Sequence, residues 1–171
     1  LCFALRRWKG FEEKAPLFGA AAEYAYRTYG LTPVFVAVEK HLDPGAGQLA
    51  ARGLTIPHYF LDDAGGAGTI IGALSRMQAV VSMRLHALIF AAGQGIPLAG
   101  VVYDPKVSAF LRYIGQEQFV DLAELTGQNL CAMIDQCVAQ AAHPEAQAAA
   151  VRNLQAMEQK NVEVARRLLK G

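Results

Sequence analysis

The chain has 171 residues, 53% of them hydrophobic and 18% charged, against a usual charged share of about 25%. Lys and Arg number 16 and Asp and Glu 15, for a net charge of +1. This length and composition support one folded core and exclude a disordered, low-complexity or coiled-coil chain. The near-neutral balance offers no broad positive field for nucleic acid and no polybasic membrane anchor.

The predicted elements alternate strand and helix from the first residue. Leu1 to Leu5 is a short apolar strand. Phe11 to Tyr29 is helical, with Leu17, Ala20, Ala21, Tyr24 and Ala25 on a 3–4 spacing and Gly30 in the C-terminal capping position. Pro33 to Val38 is a β-branched run, as expected of a strand covered on both faces. Asp43-Pro44 opens a short helix that stops near Gly53, and Ile56 to Leu61 is a third strand. Gly68 to Met77 is a helix, Ala79 to Ser82 a strand, and Arg84 to Gln94 a helix so apolar that burial all round is expected. Leu98 to Val102 is the next strand. Asp104-Pro105 starts another helix, with Asp at the N-cap and Pro at the first position. Gln118 to Val120 reads as an edge strand, and Gly127 to Ala142 and Pro144 to Leu169 as two final helices. The fold class is therefore α/β: a Rossmann-like parallel sheet with helices on both faces. No apolar run reaches the roughly 18 residues of a membrane span. Cys2, Cys131 and Cys137 lack metal-ligand spacing and read as reduced, mostly buried thiols. The start at Leu1, already inside a strand, suggests a piece of a longer protein cut at a domain boundary.

In such sheets ligands bind beyond the carboxyl ends of the strands. Two of those turns are unusual. Ser82-Met83-Arg84-Leu85-His86 and Tyr103-Asp104-Pro105-Lys106 each put a cation in the first turn of a helix. The helix dipole disfavours that by about 0.3–1 kcal/mol at an exposed site. An anionic ligand held between Arg84, Lys106 and the two helix N-termini explains both placements. Arg84 offers a planar fork for phosphate or carboxylate, and Lys106 a point charge. The bland alternative pairs Arg84 with Asp104 and leaves Lys106 in solvent.

The segment from Ser82 to Ala92, then Gly95-Ile96-Pro97, then Tyr103-Asp104-Pro105-Lys106-Val107, resembles the signature of the polysaccharide pyruvyl transferase family. Leu5-Arg6-Arg7-Trp8 is similar to the entry into that family's C-terminal half. The resemblance implies the C-terminal half of a two-domain fold of the GT-B glycosyltransferase type. The whole of 1–171 would then be one donor-binding domain, with 144–171 its C-terminal helix and the N-terminal, acceptor-binding domain a separate partner. It further implies transfer of a pyruvyl group from phosphoenolpyruvate to a sugar or lipid-linked oligosaccharide, forming a cyclic ketal on a cell-wall or exported polysaccharide. No cofactor or metal is implied, and the location would be cytoplasmic, peripheral at the inner face of the membrane at most.

On this resemblance Arg84 and Leu85 bind the donor, with Arg6, Tyr103 and Asp104 as further candidates, while His86 and Lys106 are the catalytic candidates. Imidazole suits general acid–base work near neutrality. Lys106 would neutralise the leaving phosphate or deliver the proton. Two alternatives remain: a nucleotide-sugar glycosyltransferase domain, and a non-catalytic module that binds an anion or glycan.

Other signals are weaker. Gly65-Gly66-Ala67-Gly68 lacks the ending of a phosphate loop and reads as a flexible turn. Asp62-Asp63 reads as solvated, and His41, His58 and His143 as surface or capping residues. The last helix carries Val151, Leu154, Val162, Ala165 and Leu169 near one stripe, a route to a homo-oligomer in an isolated piece, and ends in Arg166, Arg167 and Lys170, which suit a helix C-terminus.

Overall fold

A computed structural model describes residues 1–169. Six parallel strands form one sheet: β1 (Cys2–Ala4), β2 (Val34–Val36), β3 (Tyr59–Leu61), β4 (Val80–Ser82), β5 (Leu98–Val102) and β6 (Phe119–Asp121), in the order β3-β2-β1-β4-β5-β6. The chain winds outward from β1 to one edge, returns to β4 beside β1, and winds to the other edge. The order reverses between β1 and β4, whose register pairs Cys2 with Val80 and Ala4 with Ser82.

Alternation along the strands builds two cores. Phe3, Phe35, Val81, Ala99 and Val101 face one side and pack with α1 (Phe11–Tyr29), α2 (Pro44–Ala50) and α6 (Gly127–Ala141). Cys2, Ala4, Val36, Val80, Leu98 and Val102 face the other and pack with α3 (Ala67–Leu74), α4 (Leu85–Gly93) and α5 (Pro105–Tyr113). Small residues set the close approaches. A Cβ on Gly19 would stand 2.5 Å from the Ala50 carbonyl oxygen, so α1 and α2 touch backbone to backbone there. Gly100 leaves room on β5 for Leu111 of α5. Gly30 ends α1 in the left-handed region at φ 69°, and Leu31 N–H reaches back to the Ala25 carbonyl.

The outer strand β3 is shorter than its apolar run, whereas β6 keeps the expected length one residue further on. Pro57 has no amide hydrogen for a ladder, so the run from Ile56 joins the sheet only at Tyr59, whose N–H bonds the Pro33 carbonyl. Of the stripe expected on α1, Ala20 lies on the exposed side. Helix α4 departs from full burial: Ala87, Leu88, Ala91 and Ala92 are buried, but His86 and Ile89 face solvent. His58 is half-buried, its ring set edge-on to Phe35 and Phe60.

The last helix, α7 (Pro144–Leu168), contains no buried residue. Leu154 packs partly on the second core and Val151 reaches Gly95, whereas Val162 and Leu168, and Leu169 beyond the helix end, stand in solvent. Lys170 lies outside the described residues. No helix among the described residues is long and apolar enough to cross a membrane.

Candidate functional site

The strand order reverses between β1 and β4, the place where such sheets bind ligands beyond the strand ends, and an arginine follows each of the two strands there: Arg6 two residues after β1, Arg84 two after β4. The exit from β4 is held by Ser82. Its buried Oγ accepts the Arg84 N–H at 2.8 Å and lies 3.1 and 3.0 Å from the Ala4 and Arg84 carbonyls, one of which takes its hydrogen. Arg84 thereby becomes the extended N-cap of α4, and the first α4 amides, Leu85 to Ala87, lie at that end of the helix.

Arg84 is only 12% exposed, and its Nε lies 3.2 Å from Asp43 Oδ2. That partner is not the Asp104 considered from sequence, and sequence reasoning gave Asp43 no role at the site. Asp43 does not cap α2 with its side chain; the same Oδ2 turns back to accept the N–H groups of Val38 and Glu39, at 3.1 and 2.8 Å. Burial pushes its carboxyl above the ordinary aspartate range, opposed by the Glu39 N–H, Arg84, the Val38 N–H and Arg6. Arg84 Nη1 and Asp43 Oδ1 are buried without a hydrogen-bond partner among the described residues.

Arg84 and His86 line one cleft of about 480 Å³ with Val38, Glu39, Lys40, Asp63 and the Gly65-Gly66-Ala67 turn. The glycine turn thus sits opposite Arg84, across a cleft that neither residue's neighbours in sequence reveal. Asp63 is tied down by Lys40 at 3.7 Å and by the Gly65 N–H. His86 is exposed, with Phe90 one turn below it.

Tyr103 and Asp104 line a second cleft, of about 840 Å³, with Trp8 and Lys14. Asp104 is a true N-cap: its Oδ1 accepts the Lys106 N–H at 3.0 Å. That bond, with the Lys106 ammonium 3.5 Å from Oδ2, holds its carboxyl below the usual range. The α5 N-terminus therefore already carries an anion of its own. Lys106 is exposed and lines neither cleft. Arg6 joins the two regions. Its guanidinium lies over the Trp8 and Tyr103 rings, 5.5 and 5.8 Å from their centroids, and its charge favours ionisation of both Asp43 and Asp104. Arg7 points away to Glu12 and is exposed.

A parallel sheet of this order, reversing beside its first strand and with helices on both faces, is a Rossmann-like α/β domain, the fold of one half of GT-B-type proteins. Similar solved structures agree. They include the glycotransferase of kitacinnamycin (TM-score 0.61, 15% identity, 91% of this chain and 39% of that one) and the glycosyltransferase VinC in complex with dTDP (0.63, 15%, 99% and 42%). A third is the UDP-GlcNAc 2-epimerase from Neisseria meningitidis bound to UDP-GlcNAc (0.57, 13%, 93% and 44%). The chain spans about two-fifths of the length of these proteins. No curated protein matches the sequence. Residues 20–105, half of the chain, match the family described as polysaccharide pyruvyl transferase, and the chain belongs to that family.

Proposed function

We propose that the chain is the donor-binding half of a polysaccharide pyruvyl transferase, and that phosphoenolpyruvate binds at the reversal between β1 and β4. The observation that carries this reading is Arg84: a nearly buried guanidinium, fixed through Nε by Asp43, with Nη1 unpaired beside the N-terminus of α4. A ligand with one phosphate and one carboxylate asks for two cationic contacts. Arg84 with the α4 amides supplies one and Arg6 the other.

The reaction then follows from the residue types. A proton goes to the methylene carbon of phosphoenolpyruvate while a first sugar hydroxyl adds to C2 and loses its proton. The bond from C2 to the phosphate oxygen breaks and phosphate leaves. A second hydroxyl adds to C2, loses its proton and closes the ketal; of the two protons released by the sugar, one offsets the proton placed on carbon and the other leaves with phosphate. We assign these transfers to His86, which stands exposed in the Arg84 cleft. Lys106, paired among the described residues only with Asp104 and at an exposed site, is free to swing toward the leaving phosphate. Leu85, the first residue of α4, packs partly on the second core. The acceptor binds largely on a separate N-terminal domain, so the isolated chain has little turnover of its own. A cytoplasmic location follows from a donor of that kind, and no cofactor is needed.

A nucleotide-sugar donor is the second reading, favoured by the glycine turn across the cleft from Arg84 and by two similar structures that hold dTDP and UDP-GlcNAc. Calorimetric titration of the chain with phosphoenolpyruvate, phosphate, dTDP and UDP-GlcNAc separates the two. Saturable binding of phosphoenolpyruvate, tighter than phosphate and lost in Arg84→Ala, supports the donor assignment. Preferential binding of a nucleotide overturns it.

A further inference from the structure

We infer that the cleft beside Trp8 is a carbohydrate subsite, which seats one neutral pyranose ring of the acceptor on this chain. The word acceptor rests on the function proposed above; the sugar-binding claim stands on the cleft itself. The cleft measures about 840 Å³ and lies between the N-terminal ends of α1 and α5 and the turn after β6. Trp8 stands at it 47% exposed. It is nevertheless held: its ring centroid is 4.9 Å from that of Tyr103, and Arg6 lies over both rings. A large aromatic surface kept in water but fixed in orientation forgoes the burial that stabilises such side chains elsewhere in the chain. It suits a ligand with one apolar face.

The rim states what the rest of that ligand looks like. Glu13, Asp104, Asp121 and Glu124 supply carboxylates, Ser108 a hydroxyl, and Lys9 and Lys14 two ammonium groups, so the carboxylates outnumber the lysines; Lys14 is already engaged, bonded to the Leu125 carbonyl at 2.8 Å. Carboxylates only accept hydrogen bonds, so they select a ligand rich in donors. They repel phosphate and carboxylate groups, which separates this cleft from the arginine-lined one. A pyranose has hydroxyl donors around its edge and C–H groups on its face, and it matches the aromatic floor and the acidic rim together. Arg6 places the two clefts side by side, touching Tyr103 in this one and acting on Asp43, the partner of Arg84, in the other.

Trp8 is the only tryptophan in the chain, so its emission reports this cleft alone. The intact chain is titrated with methyl glucoside, methyl galactoside, methyl mannoside and N-acetylglucosamine, with glycerol as the control, and saturation-transfer NMR follows the sugar ring protons. The expected result is a saturable change in emission with at least one sugar and none with glycerol. Trp8→Ala, its fold checked by circular dichroism, should weaken the NMR-detected binding about tenfold, and Trp8→Phe should restore part of it. Glu124→Gln tests the rim in the same way. A flat titration with all four sugars, or equal affinity in folded Trp8→Ala and Glu124→Gln, overturns the subsite. The same wild-type sample is titrated with phosphoenolpyruvate: sugar binding without phosphoenolpyruvate binding removes the donor assignment and leaves the subsite, and the reverse removes the subsite alone.

Discussion

Substituting Asp43 by Ala should be among the most damaging single changes in the chain, although no fold-level signal marks the residue. Its side chain is 1% exposed, and Oδ2 holds Arg84 Nε at 3.2 Å and the N–H groups of Val38 and Glu39 at 3.1 and 2.8 Å. Removing the carboxylate leaves a guanidinium, itself only 12% exposed, without a counter-charge, and two amides without their acceptor. Breaking a buried pair from one side costs about 3–5 kcal/mol. For a chain of this length each kcal/mol lowers Tm by roughly 2–4 °C, so a fall on the order of 10 °C is expected by calorimetry or circular dichroism. The loss is of the same order as the whole stability of a typical domain, about 5–15 kcal/mol. The double variant Asp43→Leu with Arg84→Met should recover much of it, because it removes both charges and fills the space. Phosphoenolpyruvate affinity should fall in Asp43→Ala even at temperatures where the variant is folded, since Arg84 has lost its orientation. A Tm change below about 2 °C, or a double variant as unstable as the sum of the singles, would show that the pair is not what organises this corner.

Two further outcomes follow from titration and exposure. The Lys106 N–H holds Asp104 below the ordinary aspartate value, so its contribution to stability is present above the unfolded value of about 3.9 and is lost as pH falls through the lowered native one. Asp104→Asn keeps a capping side chain but not the charge. Its acid unfolding, followed by circular dichroism, should be less steep than that of the wild type below about pH 4, and equal slopes would refute the assignment. Burial pushes the Cys2 and Cys137 thiols up to about 12, while Cys131 is partly exposed. A thiol reagent at pH 8 should therefore modify only Cys131 in the native chain and all three after denaturation; fast modification of Cys2 would contradict the buried first strand.

The sheet was readable because its strands lie under helices on both faces, so each is a short continuous apolar run between turn residues. What the runs overstate is length: Pro57 denies an amide to the strand that Ile56 appears to begin. The arrangement of the candidate site was readable where the motif is local. Arg84 and His86 share a cleft, and Arg6, of the two neighbouring arginines, is the one turned inward. Lys106, two residues after Asp104, is engaged there by its own N-cap. Asp43 was illegible because Asp43-Pro44 and Asp104-Pro105 look alike in sequence and are not. Asp104 has the extended backbone of a cap, at φ −145° and ψ 134°, and caps; Asp43 is itself helical, at φ −92° and ψ −29°, which turns its carboxylate away from the α2 amides. Ser82 was hidden for a similar reason, since its contact with the Ala4 carbonyl exists only after β4 has paired with β1.

That difference between two Asp-Pro turns also explains why the arginine placement is tolerable. A cation at a helix N-terminus is unfavourable when it stands alone. Here Asp43, delivered from a segment 41 residues earlier by the β1–β4 reversal, sits on Nε and neutralises Arg84 at the cost of its own desolvation. Only one edge of the fork is used. Nη1 remains for an anion that would also meet the α4 amides, while Asp43 keeps the fork from collapsing into solvent before that anion arrives. Among the described residues Arg6 has no carboxylate partner within ion-pair distance and leans on two aromatic rings instead. A doubly anionic ligand entering between them would complete the charge balance there without displacing a single existing ion pair, whereas a neutral one would leave both arginines as they are. The preferences proposed above, for an anion at the reversal and for a neutral ring at the aromatic cleft, both rest on which carboxylates each region has already committed.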